Sequence, residues 1–109
     1  MRKLLCLMLA LLLPSAPSHA AGGGGTVTIS RITLIGGSVY VFASGIGNPD
    51  GCASVAHFTI AAENPGRDQM LSVLIAAKLN RTPVTLWFDG CAYSPWATSA
   101  PLIGALTME

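Results

Sequence analysis

"TVTISRITLIGGSVYVFAS", residues 26–44, decides the fold. Its apolar residues begin on one parity with Val27 and Ile29 and resume on the other with Ile32 and Leu34. Alternation marks a strand with one buried face, and a change of parity inside it is what one extra residue, a β-bulge, produces. The switch near Ser30-Arg31 predicts a long, bulged first strand, bent as a sheet must bend to curl into a barrel. Gly36-Gly37 turns the chain, and residues 38–43 run back as a second strand.

Working outward, "SGIGNPDGCAS" (44–54) carries glycines, Asn-Pro and Asp-Gly and reads as a loop. "VAHFTIAA" (55–62) alternates as a third strand, with Ala56, Phe58 and Ile60 on one face. Val55, His57 and Thr59 take the other face, which places His57 toward solvent or at a sheet edge. "ENPGRDQMLSVLIAAKLNRTP" (63–83) is the one convincing helix. Asn64 is its expected cap, Pro65 its first residue, Asp68 lies in an early turn, and Asn80 and Pro83 mark its end. "VTLWFDG" (84–90) is a fourth strand with Val84, Leu86 and Phe88 inward and Thr85, Trp87 and Asp89 outward. After a loop, "CAYSPWATSAP" (91–101), "LIGALTM" (102–108) is the fifth.

The order β-β-β-α-β-β, with a bulged first strand, predicts a mainly β domain with one helix. Its expected architecture is a five-stranded OB-fold-like barrel. A ferredoxin-like fold would need a second helix, and an immunoglobulin-like sandwich would need about seven strands.

Upstream of this domain, Met1-Arg2-Lys3 is a positive segment followed by an apolar run from Leu4 to Leu13. "PSAPSHA" then places Ser18 and Ala20 in the small-residue positions of a cleavage site. Residues 1–20 read as a signal peptide cut after Ala20, so a secreted or periplasmic location is expected. "AGGGG" (21–25) reads as a flexible leader, and 26–109 as a single domain. Without the leader, Arg31, Arg67, Lys78 and Arg81 face Asp50, Glu63, Asp68, Asp89 and Glu109. No basic stripe exists, so nucleic acid is not an expected partner. No second long apolar run exists, so no membrane span is expected in the mature chain.

"DGC" occurs twice, as Asp50-Gly51-Cys52 and Asp89-Gly90-Cys91. With Cys6 removed in the leader, two cysteines remain in an oxidising compartment, and they read as one disulfide, Cys52–Cys91. Closing a loop of roughly 40 residues contributes about 4 kcal/mol in the chain-entropy picture. Other chemistries fit poorly. Structural zinc needs four ligands, and the mature chain offers two cysteines and His57. Redox centres use C-x-x-C. A Cys52–His57 nucleophile pair competes with the staple for its sulfur. Each Asp-Gly is turn chemistry, placing both cysteines where a strand gives way to a loop. No G-x-S-x-G, P-loop or H-E-x-x-H is present, so catalysis, cofactors and metals are not expected.

Recognition is the better expectation. Trp87 is outward on strand four with Thr85, and Tyr93 and Trp96 follow the second cysteine. Aromatic faces with nearby hydroxyls suit sugars or extended peptides, while the same rings could cap the barrel end or fill a subunit interface. The helix is apolar around more than one stripe. Met70, Leu71, Leu74 and Ile75, with Lys78 beside them, form a surface that either the barrel or neighbouring copies in a homo-oligomer must cover.

The stretch "MLSVLIAAKLNRTPVTLWF" (70–88), together with the strand–helix order across 26–108, resembles the B subunits of AB5-type bacterial toxins. The likeness is to the subtilase-cytotoxin and pertussis-like group. The Asp-Gly-Cys pair and helix are also similar to those of a group of short exported bacterial proteins. The toxin resemblance implies a disulfide-bearing OB-fold that forms a ring with its helices at the centre and binds carbohydrate. It implies no catalytic residue and transfers no sugar-binding residue to a particular position.

Overall fold

The computed structural model describes residues 22–109. The expected signal peptide, residues 1–20, and Ala21 lie outside the described residues. Seven elements follow in order: β1 (Gly22–Val27), β2 (Ile29–Ile35), β3 (Ser38–Ala43), β4 (His57–Ile60), α1 (Arg67–Asn80), β5 (Val84–Ser94) and β6 (Ala97–Met108). The fold is mainly β with one helix. The sheet order is β1-β5-β6-β4-β3-β2, antiparallel except for the contact of Thr59 in β4 with Leu102 in β6.

Two expectations change here. The sheet has six strands, mixed in direction and not closed into a barrel, where the sequence predicts a five-stranded OB-fold-like barrel. The physical reason lies at Thr28. The expected first strand divides there, and its halves pair with different neighbours, β1 with β5 and β2 with β3. The sheet's two edge strands are therefore consecutive in the chain. The expected bulge is present at Ser30: Ile29 pairs with Ala43, and the register then skips to Arg31 with Phe42.

The glycine run is also not a lead-in. Gly22 to Gly25 belong to β1, so the first strand starts inside the run and not at residue 26. Glycine weakens a strand unless something must approach closely. Here something does: a side-chain carbon on Gly24 would sit 2.5 Å from the Phe88 ring. The bare backbone packs close against that ring, and the Gly24 carbonyl accepts a hydrogen bond from the Gly47 N–H at 2.8 Å.

Val84, Leu86 and Phe88 are fully buried, as their parity predicts, and join Val39, Val41, Phe58 and Ile60 in the core. Phe58 and Phe88 meet with ring centroids 5.6 Å apart. Strand β5 then runs on to Ser94 and forms a hairpin with β6, so "CAYSPWATSAP" is mostly strand and not loop. Gly90, at φ 84°, absorbs the register shift between Phe88 and Cys91. The second Asp-Gly is thus a bulge within a strand, the other structural use of a residue free to take positive φ. The first copy lies in the loop between β3 and β4.

Helix α1 starts two residues later than its capping pattern suggests. Gly66 is the N-cap, and Asn64 instead accepts the Gly66 N–H in a turn that leads into the helix. At the other end Arg81 takes the left-handed conformation, and its N–H and that of Thr82 close on the last carbonyls. Leu74 and Ala77 are buried, and Met70 and Leu71 pack partly against the core. Ile75 and Lys78 stay at the surface, and Leu79 is 78% exposed.

Candidate functional site

The two Asp-Gly-Cys copies meet. Cys52 and Cys91 form a disulfide with Cα atoms 5.7 Å apart. Around it, the Asp50 carboxylate of the first copy accepts the Gly90 N–H of the second at 2.9 Å. Asn48 grips the Cys52 backbone from both sides, donating to its carbonyl and accepting from its N–H. The staple thus ties the β3–β4 loop to the bulge in β5. Neither sulfur is left as a nucleophile, which removes the Cys52–His57 pair. Among the described residues no group of three or more His, Cys, Asp and Glu side chains converges as a metal site. No described helix is long and apolar enough to cross a membrane.

His57 departs most from its expected place. It is 1% exposed, because β4 is covered on both faces. Its imidazole lies among Phe42 (4.9 Å between ring centroids), Trp96 (5.5 Å) and Tyr40 (6.3 Å). Nε2 is hydrogen-bonded to the buried Ser94 hydroxyl at 2.7 Å, and Nδ1 faces the Ser54 hydroxyl at 3.5 Å. Burial pushes the His57 pKa below its ordinary value, and the nearby Arg31 guanidinium, seated 4.0 Å over the Phe42 ring, pushes it the same way. Tyr40, Phe42 and Ser94 are the partners that strand parity could not supply, because parity assigns one face inward and β4 has two.

The same cluster separates the aromatic candidates. Trp96 is 48% exposed but edge-packed on Tyr40 and Phe42 at 5.2 and 5.1 Å as well as on His57. It closes the cluster at the tip of the β5–β6 hairpin. Tyr93, beside it in sequence, is 75% exposed.

Trp87 stands elsewhere. From Trp87 to the hairpin tip is seven residues of strand, about 23 Å. The structure does not bring Trp87 and Trp96 into one site. On the sheet, Trp87 has Gly23 of β1 on one side and Ala105 of β6 on the other, both too small to cover an indole. It is 36% exposed. At the next pair along, Thr85 lies between Thr26 and Thr107. The Thr26 and Thr85 hydroxyls are 2.9 Å apart, and Thr85 donates to the Glu109 carboxylate. In the other direction Asp89 contributes to an open cleft of about 390 Å³, lined also by Glu63, Asn64, Leu102 and Gly104. Gly104, which lines this cleft, directly precedes Ala105 in β6, but neither Trp87 nor Ala105 lines it. An apolar ring with a neighbouring row of hydroxyls and the Glu109 carboxylate suits a pyranose, which has an apolar face and an equatorial belt of hydroxyls.

No family model matches the chain, and no curated protein or solved structure is found to be similar to it.

Proposed function

We propose that the chain is an exported, disulfide-stapled binding module without catalytic activity, and that it recognises carbohydrate through the Trp87 face. The observation that carries this reading is Trp87 itself. It is a large indole whose cross-strand neighbours are Gly23 and Ala105, with no aromatic partner among the described residues and a row of threonines next to it. Trp96 is the more exposed of the two indoles but is held edge-on by three other rings, whereas the exposed part of Trp87 is engaged by no ring among the described residues and is open to a ligand. The Cys52–Cys91 pair supports export, since such bonds persist in oxidising compartments. Binding is favoured over catalysis because both described cysteine sulfurs are joined and Ser94 and His57 are buried.

The finer architectural reading belongs to the same proposal. The edge strands β1 and β2 are joined through Thr28, and β4 and β6 touch in parallel. That arrangement is consistent with an opened OB-like frame, the fold that the toxin B-subunit resemblance implies. Self-association through α1 is part of this reading, with Ile75 and Leu79 exposed on the helix.

A second reading has its own observation. Leu34 and Ile35 on the edge strand β2 are exposed together with Ile75 and Leu79, more apolar surface than a binder of sugar alone requires. It favours an accessory protein that docks a protein partner. A glycan array probed with oxidised protein, in parallel with Trp87→Ala, separates the two. Retention of a restricted set of glycans that is lost in the variant supports the first; indifference to every glycan supports the second.

A further inference from the structure

We propose that His57 is an acid-operated latch: protonating its imidazole releases the tip of the β5–β6 hairpin and swings Trp96 off the aromatic cluster beneath it. This is independent of what the Trp87 face binds.

The geometry gives the latch two linked bonds. Ser94 Oγ contacts His57 Nε2 at 2.7 Å and also accepts the Trp96 backbone N–H at 3.2 Å. With the imidazole neutral and its proton on Nδ1, every group is served. Ser94 donates its one proton to Nε2 and accepts from Trp96, and Nδ1–H faces the Ser54 hydroxyl. A second proton on the ring undoes this. Nε2–H must then donate to Ser94 Oγ, so the Ser94 proton loses its acceptor in a site that is 2% exposed. The Ser54 hydroxyl offers little compensation, being 3.5 Å away and already accepting the Ala56 N–H. An orphaned buried donor and an unpaired buried charge are both costly, and water is the nearest remedy.

The charges around the ring do not rescue it. Arg31 from β2 is a like charge, Tyr40 from β3 meets the ring edge-on, and Ser94, Trp96 and Ser54 carry no charge. Neither ring nitrogen is hydrogen-bonded to a carboxylate among the described residues. The response stays local because Cys91, three residues before Ser94, is anchored to Cys52. Only the end of the hairpin, closed by the Ser94–Ala97 pair, is free to move.

The sign follows from linkage. The folded state binds this proton less readily than the unfolded chain, so the closed tip is fully stabilised above the ordinary imidazole value of 6.5. That stabilisation is lost as pH falls from there through the lower folded value.

In a Trp87→Phe background Trp96 is the sole indole of the mature chain. Titrated from pH 8 to pH 4, its emission should shift to the red and its quenching by acrylamide should rise at least threefold. The midpoint should lie below 6.5 and coincide with the His57 imidazole resonance followed by NMR. His57→Gln, which cannot titrate, should be flat. An emission that stays constant while the imidazole titrates, or a transition that persists in His57→Gln, overturns the proposal. Should His57→Gln not fold, amide exchange in the wild-type chain decides. The protection factor of Trp96 should fall at least tenfold on acidification while that of Leu86 holds, and equal behaviour of the two overturns the latch.

Discussion

At the scale of single residues, the same amino-acid type does different work according to its cross-strand neighbours. Trp87 and Trp96 are indistinguishable by composition and both precede or follow turn-like residues. One lies between Gly23 and Ala105 and the other against Tyr40, Phe42 and His57. Parity within a strand was enough to place Thr85 and Trp87 outward and Leu86 and Phe88 inward. It failed at His57 and Thr59, because a strand flanked by β3 and β6 with cover on both sides has no outward face. Gly24 shows the complementary case, a residue whose contribution is its missing side chain. Gly24→Val places carbon atoms inside the Phe88 ring and should destabilise by about 3 kcal/mol, the upper range for overpacking. Urea unfolding of the variant checks it, and Gly23→Ala, where a side-chain carbon meets nothing within 4 Å, is the control expected to be mild.

At the scale of elements, the bulged start of β2, the β2–β3 hairpin and the existence of α1 were legible because each has a local cause. A parity switch, a Gly-Gly turn and a long helical run are all written in adjacent residues. The division of the first strand at Thr28 and the continuation of β5 through Cys91 were not, since both depend on partners far along the chain. Glycines that read as a linker are a strand because β5 supplies the neighbour. A Pro- and Ser-containing segment that reads as a loop is a hairpin because the bulge at Gly90 restores its register. The staple belongs to this scale too: the Asp50–Gly90 hydrogen bond and the Cys52–Cys91 bond join a loop to that bulge. Replacing both cysteines with serine should cost about 4 kcal/mol by the loop-closure argument. The loss should appear as a lower midpoint in denaturant, and reduction of the wild-type protein should reproduce it.

At the scale of the whole molecule, an open sheet with six strands leaves two edges and one helix incompletely covered. Leu34, Ile35, Ile75 and Leu79 are the apolar residues left there. Surface of this kind is usually an interface. Light scattering of the oxidised protein behind a sizing column should give a discrete multiple of the protomer mass, and Ile75→Glu with Leu79→Glu should reduce it to one. A monomeric wild type would instead leave those residues to a different partner. The binding claim is tested most directly by measuring thermal midpoint and glycan affinity together for Trp87→Ala and Trp96→Ala. The account predicts opposite losses. Trp87→Ala should lose at least tenfold in affinity, while Trp96→Ala should unfold at lower temperature because three ring contacts are gone and should keep the affinity of the wild type. A Trp87→Ala protein that binds as the wild type does, or a Trp96→Ala protein that loses affinity as Trp87→Ala does, would contradict it.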